Sequence, residues 1–202
     1  MTESYLQLVI REFKRLQLLA DGAMSQLSDE QFFAVPSPGD NSVAVIVKHV
    51  GGNLVSRWTD FLTSDGEKPG RNRDTEFQIG VEDTRERLMQ TWSHGWATLF
   101  AALEPLEDSD VSRVIAIRGE PLTVLQAANR QLTHYAYHVG QIVYVAKHSC
   151  GRSWRTLSIP LGRSSEFNRT PTRYVPSGVV QQGGPDTLRE QGLISGIQDP
   201  RI

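Results

Sequence analysis

An all-α fold is what this sequence of 202 residues predicts: a four-helix bundle with an extended C-terminal tail. Three observations predict it. Apolar residues recur at spacings of three and four along long stretches, the mark of helices that bury one face. Capping-box patterns stand where such stretches begin. From Asn168 to Ile202, nine of 35 residues are glycine or proline and Tyr174 is the sole aromatic, which approaches the composition of extended or disordered segments.

The first helix carries Leu6, Val9, Ile10, Phe13, Leu16, Ala20, Met24 and Leu27 on one stripe. Ser28 and Gln31 form a capping box for a short helical turn before "VPSPGDN" breaks the chain. The second helix starts near Asn41 or Ser42 and runs through "SVAVIVKHVGGNLVSRWTDFL"; length and the lack of strict alternation outweigh its β-branched opening. "TSDGEKPGRNRDTEFQIG" reads as a loop. The third helix follows a cap at Asp83, with Glu86 three residues on. Leu88, Trp92, Trp96, Leu99 and Leu103 form its buried face, and Pro105 ends it. "SRVIAIRGEPL" alternates briefly and predicts a short hairpin. The fourth helix opens on the capping box Thr123–Gln126 and runs to about Cys150, where Gly151 terminates it. The long connection ahead of the third helix, at about 3.3 Å per extended residue, can run back along a helix of about 30 Å. It therefore permits a crossover that leaves the second and third helices parallel.

Composition narrows the function classes. The chain is 39% apolar and 22% charged, as ordinary soluble domains are. A formal charge of −2 argues against a nucleic-acid binder, which would carry clustered Lys and Arg. Cys150 is alone, so no intramolecular disulfide forms, in keeping with a reducing cytoplasm. "MTESYLQLVIREFKRLQ" is charged within its first turns, unlike a signal peptide, and no run of about 18 apolar residues exists to span a membrane. The expected setting is cytoplasmic.

The chemistry lies in the histidines. His134 and His138 stand four apart in "HYAYHVGQI", within about 40° of each other on the fourth helix, with Gln141 on the same strip. Neutral imidazoles at this spacing can converge on one zinc or nickel ion. The pair alone is weak, since about one random sequence of this composition in ten would contain it, and hydrogen-bonded core-edge histidines are an equal account. His49 on the second helix adds a third nitrogen, with Asn53 on its own face and Gly51 and Gly52 directly after it. Glycine inside a helix costs about 1 kcal/mol against alanine. Two in a row suggest close approach of another helix or an open pocket, unless they only relieve crowding or mark a kink. His94 points away from its helix's apolar stripe, and His148 lies about 15 Å along the axis from His138, too far to share its ion.

These residues resemble the DinB/YfiT-like metalloprotein superfamily, and most closely an uncharacterised subgroup of it. The resemblance rests on the His-x-x-x-His of the last helix, on the histidine late in "SVAVIVKH", and on the stretches "VKHVGGNLVSRWTDFLTSDGEKPGRNRDTEF", "IRGEPLTVLQAANRQLTHYAYHVGQIVYVAKH" and "LSIPLG". It spans most of residues 1–167, which are expected to form the bundle domain, with 168–202 as the tail. It implies up-down-down-up connectivity, frequent homodimers, and a divalent metal, commonly nickel or zinc, held by three histidines. Those ligands carry over to His49, His134 and His138. Some relatives are thiol-dependent S-transferases or isomerases, but their thiol-recognition residues match no motif in this sequence.

The first reading is therefore a metal-dependent thiol transferase or hydrolase acting on a small molecule, with a low-molecular-weight thiol as a further cofactor. Asn53 and Gln141 could orient a ligand, and Arg57 could receive an anionic group. For Arg71 and Arg73 in the following loop, ordinary solvated charge is the simpler account. The alternatives are a non-catalytic metalloprotein braced by its ion and a metal-free bundle that works through protein contacts. No catalytic residue is assigned.

Overall fold

Each of the five α-helices described before residue 151 begins at a serine or threonine whose hydroxyl accepts the N–H of the third helical residue. The computed structural model describes residues 4–169. Ser4 caps α1 (Tyr5–Met24), Ser28 caps α2 (Asp29–Phe33), Ser42 caps α3 (Val43–Trp58), Thr84 caps α4 (Arg85–Leu103) and Thr123 caps α5 (Val124–Cys150). At Ser4, Ser28 and Thr123 the glutamine three residues on returns the bond to the cap's own N–H. The tail expected from 168 lies outside the described residues except for its first two.

Two helix boundaries differ from expectation. Thr84, not Asp83, caps α4, because the Asp83 carboxylate is engaged by the Gly80 N–H and by Lys48 Nζ, each at 2.7 Å. The second long helix stops at Trp58 rather than near Leu62, since Asp60 takes a left-handed conformation (φ 47°) that a helix cannot continue through. "SRVIAIRGEPL" contains the hairpin, β1 (Val114–Ile117) paired antiparallel with β2 (Glu120–Thr123) in the register Val114 to Thr123 and Ile117 to Glu120. Arg118 and Gly119 form its turn with positive φ. Gly151, at φ 52°, ends α5.

The core is closed by one aromatic from each long helix. Phe13 of α1 lies 6.3 Å from Trp58 of α3, 6.4 Å from Trp96 of α4 and 5.9 Å from Tyr135 of α5, all four being buried. Tyr135 also takes a hydrogen bond from Trp58 Nε1 and donates one to Asn53 Oδ1, which satisfies its hydroxyl in an apolar setting. Between α3 and α4 the contacts advance in step: Gly51 faces Thr91, and Leu54 faces Gly95. Between α1 and α5 they also advance in step, from Tyr5 with Asn129 to Gln26 with Cys150. Between α1 and α4 the order reverses, Lys14 meeting Glu104 while Asp21 meets Trp92 and Met24 meets Arg85.

This compact unit runs to Arg155, and a second unit begins at Thr156, whose described part includes the short α6 (Ser164–Arg169). Among the described residues no helix is long and apolar enough to cross a membrane.

A candidate metal centre

α3 and α5 bring His49, His134 and His138 together. One nitrogen from each lies within 4.8 Å of the other two, and the ring centroids are 4.8–5.5 Å apart. The i, i+4 spacing on α5 stacks two imidazoles on one strip, and α3 presents the third from across the helix interface.

Two of the rings are fixed by hydrogen bonds at Nδ1. His49 Nδ1 donates to Glu76 Oε2 at 2.8 Å, and His138 Nδ1 donates to the Gln141 side-chain oxygen at 2.8 Å. Each bond sets the tautomer and leaves Nε2 with its lone pair. His138 Nε2 and His134 Nδ1 are then buried without a hydrogen-bond partner, which native interiors rarely tolerate. Burial pushes the His134 pKa down to about 3, with His138 and His49 adding to the effect. Burial likewise takes His138 down to about 4, against the opposing Gln141 hydrogen bond. Both rings are neutral at pH 7 and available as donors. Three imidazoles, two of them with orphaned nitrogens, fit a divalent ion of the zinc or nickel type, and three protein ligands leave further positions open.

Glu76 was not legible as a site residue in the sequence. It lies in a 3-10 turn (Arg73–Phe77) of the long loop, and its carboxylate receives Arg71 Nε on one oxygen and Nη2 on the other, both at 2.8 Å. Burial alone would raise its pKa, but the bonds from His49 and Arg71 outweigh this and hold it below the usual carboxylate range. Arg71 is thus a buried fork clamped on Glu76, not a solvated charge. The one hint in the sequence was the glycine pair. A Cβ on Gly52 would sit 2.5 Å from Glu76 Oε1, and one on Gly51 would sit 3.1 Å from Thr91 Cγ2. The first glycine admits α4, and the second admits the carboxylate that orients His49.

The remaining expected residues divide. Asn53 is buried beside His49 and held by Tyr135. Gln141 is exposed and acts on His138 alone. Arg57 is buried and bonds the Gly66 carbonyl at 2.5 Å and Glu67 at 2.7 Å. Its pKa is lowered by burial, with Glu67 opposing. His94 and His148 are both exposed and outside the cluster. The three histidines, Asn53 and Arg57 open onto a cleft of about 290 Å³, which Gln131 and Tyr137 also line.

Comparison with other proteins agrees with a helical fold of this kind. A conserved protein of Enterococcus faecalis, known from its crystal structure, superposes with a TM-score of 0.57 at 16% sequence identity, over 75% of this chain and 100% of its own. At that identity the likeness shows the fold alone. No curated protein matches the chain in sequence. The sequence model of the family described as a protein of unknown function (DUF1572) matches residues 1–163, which include the whole histidine cluster and its supports, and the chain belongs to that family.

Proposed function

We propose that this protein is a DinB-like divalent-metal protein in which His49, His134 and His138 hold nickel or zinc, and that it acts as a metal-dependent thiol transferase or hydrolase on a small molecule. The observation that carries the reading is the convergence of three histidine nitrogens within 4.8 Å, two of the rings being oriented from behind by Glu76 and Gln141. Support for a DinB-like up-down-down-up bundle comes from the order of the contacts: α3 with α4 and α1 with α5 in step, α1 with α4 reversed. A divalent ion at this place supplies Lewis acidity, which lowers the pKa of a coordinated thiol or water.

The chain's own groups would do the rest. Glu76 holds the His49 proton on Nδ1, Arg71 holds Glu76, and Asn53, fixed by Tyr135, faces the cleft as a polar contact for a bound ligand. The test is elemental analysis of protein made without a histidine tag, followed by thiol titration of the cobalt- or nickel-substituted form. About one ion per chain and a thiol-dependent change in the metal spectrum are expected. Stoichiometric metal with no response to any common low-molecular-weight thiol would overturn the transferase reading.

A further inference from the structure

The cleft over the histidines is lined by five arginines: Arg57, Arg71, Arg73, Arg118 and Arg130. The whole chain has a formal charge of −2, so this concentration of positive charge is local. Three glutamates partly offset it. Glu67 is shared by Arg57 at 2.7 Å, Arg118 at 3.2 Å and Arg71 at 3.5 Å; Glu76 holds Arg71; Glu120 meets Arg130 at 3.4 Å. Against the three glutamates alone the five guanidinium groups have an excess of two positive charges, and Asp74 reduces it to one. Arg73 meets Asp74 at 3.9 Å, a carboxylate that is 93% exposed, and lies over the Phe77 ring, 4.9 Å from its centroid. The Asp65 side chain accepts the N–H groups of Glu67, Arg118 and Gly119, and reaches no guanidinium by hydrogen bond.

Two buried polar groups at the cleft have unused bonding capacity. Arg57 is 7% exposed and donates to Gly66 and Glu67 through Nη1 alone, so Nε and Nη2 make no hydrogen bond. Gln131 is 3% exposed, and its side-chain oxygen is buried with no partner, an acceptor that an O–H or N–H of a ligand would answer and an oxyanion would not. The free Arg57 nitrogens are not among the buried unpartnered atoms, so they are open to the cleft that Arg57 lines. Oxyanion oxygens would answer the guanidinium groups in planar, paired geometry.

We propose that the cleft binds a small molecule carrying two negative charges, its carboxylate or phosphate oxygens held by Arg57, Arg73, Arg118 and Arg130, and its other end directed at the histidine cluster. The direction toward the histidines rests on the metal-centre reading above; the anion subsite does not, since none of its residues is a proposed ligand.

Calorimetric titration of chelator-treated, metal-free protein tests the subsite by itself. The probes are inorganic phosphate, succinate and acetate, each against chloride at matched ionic strength. Phosphate or succinate binds at least about tenfold more tightly than acetate or chloride, and the Arg73→Gln/Arg130→Gln double variant weakens that binding by about tenfold or more. Both side chains are about half exposed (49% and 46%), so the variant keeps its fold, and its nickel content stays that of the wild type. A preference for phosphate identifies a phosphomonoester ligand and a preference for succinate a dicarboxylate. The proposal is overturned if neither dianion outcompetes chloride, or if the double variant binds both as the wild type does. Dianion binding by a protein that takes up no metal would refute the metal centre and leave the subsite standing.

Discussion

Replacing Gly52 with alanine tests whether Glu76 governs the proposed metal centre. The new methyl would stand 2.5 Å from Glu76 Oε1, whereas ordinary contact begins near 3.4 Å, so the carboxylate must retreat by about 0.9 Å. It is not free to do so. Arg71 grips both of its oxygens at 2.8 Å and His49 Nδ1 holds one at 2.8 Å. Oε1 is the oxygen that Arg71 Nε holds, so a retreat of that size along this bond takes the Arg71 contact beyond hydrogen-bonding range and displaces the Oε2 that His49 bonds. The stability change is small, because alanine gains about 1 kcal/mol of helix propensity over glycine while weakened charge-assisted bonds cost about 1–3 kcal/mol. Metal affinity is the sensitive readout: loss of the group that orients a ligating histidine lowers it about 10- to 100-fold. Competition against a chelating dye measures this, with a thermal melt alongside. Gly51→Ala is the control, since its methyl meets Thr91 of α4 and not Glu76. Wild-type metal affinity in Gly52→Ala would refute the orienting role.

Three further outcomes follow from the geometry. His134→Ala and His138→Ala each abolish stoichiometric metal by elemental analysis; metal retained in both would rule out the three-histidine assignment. Tyr135→Phe removes a hydroxyl that bridges Trp58 and Asn53 in the core, and lowers unfolding stability by about 1–3 kcal/mol in urea titration with the fold kept. Asp65 is held below its ordinary carboxylate range by the N–H groups of Glu67, Gly119 and Arg118. Its folded pKa is depressed, so its contribution is fully present above the unfolded value of 3.8 and is lost as pH falls through the folded one. The stability gap between wild type and Asp65→Asn should therefore be constant near neutrality and close in acid below that value.

The helices were legible because their signals are local. Ser28, Ser42 and Thr123 are caps whose partners lie three residues away, and the Leu88–Leu103 stripe reports a single buried face. Boundaries were less so: Asp83 looked like a cap until Lys48, from another helix, claimed its carboxylate. The three histidines could be nominated from spacing and resemblance, yet only the packing of α3 on α5 brings their nitrogens within 4.8 Å. Glu76, Arg71 and the arginine-lined cleft belong wholly to the tertiary structure. They come from a long loop, a hairpin turn and a helix face whose charged residues look alike in one dimension. Sequence by itself determined which residues form helices and which side chains can bind an ion, since both depend on neighbours within a few residues. Burial decided the rest, because whether an arginine is solvated or clamped, and whether an imidazole is neutral, depends on what the folded chain brings against it.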